Sequence, residues 1–248
     1  MSVYQEIFLQ SKKSFAVLID PDKTNAFEAV KLLDVINTIN EINCILVGGS
    51  LVANNSTSRV IAGLREHTTK PVLLFPGNIN QLCEADAILF LNLISGRNPE
   101  YLIGQHIVGA PIIKKLGVES ISTSYMLVGE PSSTSYVSNT QPLPANKPDL
   151  IAATALAGEM IGHKVVYIDA GSGAPYPVPA EAITAVSNSI EVPLIIGGGL
   201  RSYEDAKRAL DAGAQTIVIG NAVESNPKIL YEIASAVSDA NHESKIHQ

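Results

Sequence analysis

The chain reads as a single α/β domain: a modified (β/α)8 TIM barrel whose third helix is missing or reduced. Three observations predict it. Eight short, β-branched apolar runs alternate with stretches of helical spacing. The length of 248 residues matches the ~250 typical of one such barrel. Three late runs each stop abruptly in a glycine-bearing loop, about 25 residues apart. That spacing sets three ligand-facing loops on one end of a parallel sheet, the last two where such barrels bind phosphate.

In order, the predicted strands are Phe15–Ile19, Cys44–Val47, Val72–Phe75, Ala87–Leu91, Ser120–Leu127, Val165–Ile168, Leu194–Ile196 and Thr216–Ile219. Ala26–Ile39 reads as a helix with Val30, Leu33 and Val35-Ile36 on one face. Ser202–Ala212 places Tyr203, Ala206, Ala209 and Leu210 on one side, and the glycine of Asp211-Ala-Gly-Ala214 stops it. Only about ten residues, opening with Pro76-Gly77-Asn78, separate the third strand from the fourth. A parallel crossover normally needs a dozen or more, so the third helix is expected to be absent or a single turn. The gap would make a slot for a long ligand. Ser132–Pro148 is polar and proline-bearing and reads as a loop, either a mobile cover over the site or plain surface. The tail, Asp239–Gln248, is polar and reads as frayed.

Composition excludes several classes. Apolar residues make up 46% and charged residues 17%, which argues against disorder. Trp is absent and aromatics are 5%, leaving no surface on which nucleic-acid bases would stack. A net charge of -7 repels polyanions, so nucleic acid is not an expected partner. A small phosphorylated substrate would have to be held by local devices: backbone N–H groups, a metal or a few placed cations. Cys44 and Cys83 lie outside any CxxC pair and read as buried free thiols in a reducing compartment. No signal peptide is evident and no run approaches ~20 apolar residues. A cytoplasmic location is the expectation.

The candidate site residues stand at strand ends. Asp20, in Leu18-Ile-Asp-Pro-Asp-Lys23, is placed to hold a hard cation such as Mg2+, or else to form a turn. Asp22 reads as the cap of the next helix, and Lys23 as a solvated residue or phosphate contact. Gly48-Gly-Ser50 either approaches a diphosphate, with Ser50 as an oxygen ligand, or is a tight turn. In Tyr167-Ile-Asp-Ala-Gly-Ser-Gly173, Asp169 can orient a substrate hydroxyl, and Ser172 and Gly173 can contact phosphate. Gly197-Gly-Gly199 and Gly220-Asn221 form a phosphate cradle of backbone amides. Arg201 adds a charge there or forms a surface salt bridge. The histidines show no HxH or HExxH pattern, so zinc is not expected, and His106 and His163 read as ordinary.

Together these residues resemble the geranylgeranylglyceryl phosphate synthase family, bacterial members included. Further matching segments are Phe75-Pro-Gly77, Tyr136-Val-Ser-Asn-Thr140 with Pro142-Leu-Pro144, and Gly220-Asn221. The resemblance implies an Mg2+-dependent prenyltransferase. It would join the C3 hydroxyl of sn-glycerol 1-phosphate to an allylic prenyl diphosphate, most naturally geranylgeranyl, as a step of ether phospholipid biosynthesis. It implies Mg2+ on Asp20 and Ser50. It implies glycerol phosphate binding by Tyr167, Ile168, Asp169, Ala170, Gly171, Ser172, Gly173, Gly198, Gly199, Gly220 and Asn221, with Tyr167 and Asp169 catalytic. It also implies the missing third helix, and barrels of this class associate through outer helices as dimers or hexamers. Two positions depart from the pattern: Asp169, where the family usually has Glu, and Ala145, where a basic residue is expected. The alternatives are a phosphosugar isomerase or synthase using Asp20 and Asp169 as acid and base, or a non-catalytic phosphate-binding barrel. The retained Asp20, Ser50 and Asp169 argue against the last.

Overall fold

The computed structural model describes the backbone of residues 1–52 and 56–246, with side chains except at 224–225 and 244–246. Eight strands close into a barrel in sequence order: β1 Ser14–Ile19, β2 Ile42–Val47, β3 Val72–Leu74, β4 Ala87–Leu93, β5 Glu119–Leu127, β6 Val165–Asp169, β7 Leu194–Gly197 and β8 Thr216–Ile219. Every neighbouring pair is parallel, and β8 closes onto β1 with Ser14 opposite Thr216. All eight predicted strands are present, each bound within two residues.

Side chains on a strand alternate between faces, and this alternation sorts the core into two layers. Ala16, Cys44, Leu46, Leu73, Ile121, Tyr125, Val165, Tyr167, Ile195 and Val218 fill the barrel interior. Phe15, Val17, Ile45, Val47, Val166, Ile168, Ile196 and Ile217 face the surrounding helices. The same alternation carries Asp20 and Asp169 inward at the upper, C-terminal end. The lower end is covered by α1, Val3–Phe8, whose Ile7 and Phe8 join the interior cluster. The Glu119 carboxylate accepts from the Val3 and Tyr4 N–H groups at 2.7 and 3.1 Å and fixes this helix.

The outer ring is built from α2 Ala26–Ile36, α3 Ser56–His67, α4 Gln105–Leu116, α6 Pro148–Ile161, α7 Ala180–Ser187, α8 Tyr203–Asp211 and α10 Ile229–Ile246. Short helices α5, Ser133–Val137, and α9, Asn221–Ser225, sit at the upper end. Between β3 and β4 only one 3-10 turn forms, Ile79–Gln81, so the third helix is reduced as expected.

Four expectations are corrected. Asp22 does not cap α2. Asn25 does, in a capping box with Glu28, and its side-chain oxygen meets the cap N–H that Asp22 lies too early to reach. Ser132–Pro148 is no plain loop: Ser132 and Ser135 box the start of α5, and Leu143 exchanges backbone hydrogen bonds with Leu127 and Gly129 at 2.8 and 2.9 Å. Asp239–Ile246 belongs to α10, whose Ala236, Val237 and Ala240 pack into the core, while 247–248 lie outside the described residues. Cys44 is fully buried, pushed up to about 12, whereas Cys83 is only half-buried. Among the described residues no helix is long and apolar enough to cross a membrane.

Candidate active site

A cavity of about 350 Å3 opens at the upper ends of the strands. Its polar end is lined by Asp20 and Lys23 after β1, Gly48–Ser50 after β2, Asp169 and Gly171–Gly173 at β6, Gly198–Arg201 after β7, and Gly220–Ala222 after β8. Its other arm is apolar. Ile79 and Leu82 come from the 3-10 segment, Ile88, Phe90 and Leu91 from β4, and Gly109 and Ile113 from α4. The arm therefore runs out through the place that a third helix would fill.

Asp169 is 8% exposed. Its Oδ1 accepts from the Gly171 N–H at 2.7 Å and its Oδ2 from the Tyr125 hydroxyl at 2.6 Å. Burial raises its pKa; the hydrogen bonds from Tyr125 and Gly171 pull the other way without cancelling the effect. Each carboxylate oxygen retains a further lone pair. The group is thus a fixed, more basic than usual acceptor at the edge of the cavity. Tyr167 lies beside it, its ring 5.4 Å from Tyr125 and 5.3 Å from Phe75. Burial first, and the Asp169 charge second, push both tyrosine pKa values well up, so both phenols stay protonated.

The glycine loops meet at close range. Gly198 has φ +79, and a Cβ there would stand 2.5 Å from Asp169 Oδ1 and 2.8 Å from the Ala170 and Gly171 nitrogens. Only glycine lets the loops after β6 and β7 approach so closely. Asn221, which opens α9, reaches Ser172 Oγ at 3.4 Å and receives Lys23 Nζ at 3.1 Å. Lys23 also lies 3.6 Å from Asp20 Oδ2. Arg201 lines the polar end of the cavity, and no ion pair of its guanidinium forms among the described residues. Its guanidinium donates to the carbonyls of Gly173, Ala174 and Pro175, which holds the Ser172 loop in shape.

On the opposite wall the Asp20 carboxylate packs where a Cβ of Gly49 would be, 2.9 Å from Oδ1. Asp20 and Ser50 both line this side of the cavity. Ser50 Oγ is 2.8 Å from Thr134 Oγ1 of α5, which covers this side of the mouth.

The predicted set thus converges, apart from two members. Ile168 and Ala170 pack in the outer layer against the helices and do not line the cavity. The Ala170 N–H is already given to the Gly197 carbonyl at 3.0 Å. Tyr125, Thr134 and His106 are among the lining residues that the sequence reading did not assign to the site. Tyr125 shares the inward parity of Ile121 and Leu127, a signal legible once β5 is in register. Thr134 lay in the segment read as loop. The His106 Nε2–H donates to the Leu91 carbonyl oxygen at 2.7 Å, and the ring packs edge-on against Phe90 in the apolar arm. His163 bonds Ser124 Oγ at 2.6 Å and lies outside the site.

Comparison with known proteins follows this geometry. The chain is 48% identical over 244 residues, 97% of its length and 98% of the relative's, to a geranylgeranylglyceryl phosphate synthase of Spirosoma linguale. It is 42% identical over 218 residues, 87% of its length and 85% of the relative's, to the protein of that name from Pyrococcus horikoshii. Among solved structures, (S)-3-O-geranylgeranylglyceryl phosphate synthase from Thermoplasma acidophilum, in complex with substrate sn-glycerol-1-phosphate, superposes with a TM-score of 0.90. The two share 27% identity, covering 96% of this chain and 99% of that one. The PcrB family model matches residues 8–237, nearly the whole barrel, and the chain belongs to the PcrB family.

Proposed function

We propose that this protein is a prenyltransferase that joins the C3 hydroxyl of sn-glycerol 1-phosphate to an allylic prenyl diphosphate, releasing diphosphate in ether-lipid biosynthesis. One observation carries the reading: a single cavity has a glycine-lined anion cradle with Asp169 and Asp20 at one end and an apolar arm at the other. An isomerase of small phosphosugars has no use for such an arm. The relatives named geranylgeranylglyceryl phosphate synthase, and the substrate bound in the Thermoplasma acidophilum structure, support the same substrates.

Chemically, the phosphate rests on backbone N–H groups of the loops after β6, β7 and β8. Its glycerol hydroxyl points toward Asp169. The prenyl tail lies along Phe90, Leu91 and Ile113, where water is excluded. The C1–O bond to diphosphate breaks, the hydroxyl oxygen forms the new bond to C1, and the hydroxyl proton passes to Asp169. Positioning and charge stabilisation supply most of the acceleration, and the neighbouring Tyr125 and Tyr167 rings line the path of the developing allylic cation.

Asp20 and Ser50 offer one carboxylate and one hydroxyl to the same cavity. No group of three or more His, Cys, Asp or Glu side chains suited to a metal forms among the described residues. That donor set fits Mg2+, which takes one or two carboxylates and draws its remaining oxygens from water and substrate phosphate. When bound, Mg2+ would neutralise the leaving diphosphate. The test is incorporation of radiolabelled glycerol phosphate into an organic-extractable product. Label should enter only with a prenyl diphosphate and Mg2+, and Asp20→Asn should reduce turnover by about 100-fold or more. No labelled lipid with any prenyl donor rejects the reading.

The outer helices support the expected homo-oligomer. Ile103, Ile107, Val108 and Ile112 on and beside α4 are all more than 40% exposed. A row of large aliphatic side chains in water is a liability that a second copy would remove.

A further inference from the structure

The inference rests on the reading above and concerns Lys23, which the sequence reads as either a solvated residue or a phosphate contact. The turn after β1 is closed by the Lys23 and Thr24 N–H groups, which donate to the Asp20 carbonyl at 3.1 and 2.9 Å. It brings the Lys23 side chain to the cavity wall. There the ammonium lies 3.6 Å from Asp20 Oδ2 and donates to Asn221 Oδ1, in the loop after β8, at 3.1 Å. The other end of the same amide faces the loop after β6. Asn221 Nδ2 donates to Ser172 Oγ at 3.4 Å and stands 3.8 Å from where a Cβ of Gly173 would be. One amide thus joins the loops after β1, β6 and β8.

The two ends of an amide have nearly the same shape and opposite hydrogen-bonding sense: the oxygen accepts and the NH2 donates. An ammonium only donates. The reversed amide would set NH2 against NH3+, two donors facing each other, so the oxygen belongs on the Lys23 side. The NH2 is thereby turned toward the loop after β6, where the cradle lies. Ser172 Oγ accepts from that NH2, which leaves the Ser172 proton to be given elsewhere. An ionised phosphate takes its strongest hydrogen bonds from donors. A wall of NH2 and OH protons suits it, and an amide oxygen in the same place would repel it. We propose that Lys23 is a positioning residue for the phosphate cradle, which holds the Asn221 amide with its oxygen toward β1 and its NH2 toward Ser172, so that this wall offers protons to the phosphate of sn-glycerol 1-phosphate.

Calorimetry of the full-length protein with sn-glycerol 1-phosphate reads the effect. The titrations are run in about 1 M salt, where the Debye length is about 3 Å and an exposed charge acts on little beyond what it touches. Lys23→Met keeps the stem and removes the donors, so the amide can turn. Affinity should fall about tenfold, the size of one hydrogen bond to a charged group. Lys23→Arg still only donates and should stay within about threefold of wild type. In an Asn221→Ala background Lys23→Met should cost no more than about a further twofold, because Lys23 acts through the amide. A Lys23→Met loss that stays full in Asn221→Ala would make Lys23 a direct phosphate contact and overturn the proposal. So would unchanged affinity in Lys23→Met, or a Lys23→Arg variant as weak as Lys23→Met. If the wild type binds glycerol phosphate while any of these holds, the inference alone falls. If the wild type binds no glycerol phosphate in the millimolar range, the functional reading falls with it.

Discussion

Asp169 is a buried carboxylate held by two donors, and its burial raises its pKa. Below that pKa it is protonated and cannot take a proton from the glycerol hydroxyl. Activity is therefore lost as pH falls through the elevated value. The acid limb of kcat/KM should lie above the ~3.9 of an ordinary aspartate and disappear in Asp169→Asn. That variant keeps the shape without the basicity and should lose about 100-fold or more in kcat at saturating substrate. Asp169→Glu restores the longer side chain typical of the resembling family. It gives up the Gly171 N–H but carries the charge further into the cavity, so kcat should stay within about tenfold of wild type. A substitution at Gly198 is a poor probe of the cradle, because its Cβ would strike Asp169 and the Gly171 backbone together. Ser172 is exposed, and its Asn221 contact is long. Ser172→Ala should raise the KM for glycerol phosphate about tenfold, the worth of one hydrogen bond to a charged group, and leave that for the prenyl donor unchanged. Steady-state kinetics with each substrate varied in turn will check both. Asp20 and Asp169 were legible in the sequence because a charge directly after an apolar run has little reason to stand there except function. Tyr125 was not, since a tyrosine inside a strand reads as core until the register assigns its face.

The eight strands were legible because a strand buried on both faces must be almost wholly apolar, and few other segments are. The reduced third helix was equally legible, since ten residues cannot hold a full crossover helix. Element ends and caps were harder. Asn25 and Asp22 are both capable caps, and only backbone geometry chooses between them. α5 was missed because its stability comes from hydroxyl caps and from contact with Ser50, not from an apolar face of its own. The reduced helix also bears a prediction. Gly109 of α4 faces Leu82 and Ile79 at 3.4 and 3.9 Å from where its Cβ would be, within the apolar arm. Gly109→Phe should fill that arm. The ratio of kcat/KM for a twenty-carbon donor over a ten-carbon donor should fall by about tenfold, roughly the 1.4 kcal/mol of two lost methylene contacts. A proportional loss on both donors would place the tail elsewhere.

For the whole molecule, the aliphatic row on α4 sets an expected assembly. Ile107, 67% exposed, is its most open member. Ile107→Glu should leave the barrel folded and lower the mass seen by sedimentation velocity at micromolar concentration. A wild type that sediments as a monomer would remove α4 as a contact surface. The net charge of -7 has its own bearing. It keeps polyanions away while leaving phosphate binding to backbone dipoles, which no count of charged residues reveals.

The break in the outer ring leaves the closed barrel without a covering helix on one side. A hydrocarbon tail can be laid in sideways through it, as a cable is laid in a trench, without being pushed end-first through the mouth. The water-soluble partner keeps the mouth to itself. Two molecules from different surroundings thus have separate approaches to one reacting centre, and the tail of the finished product can leave by the approach through which it came.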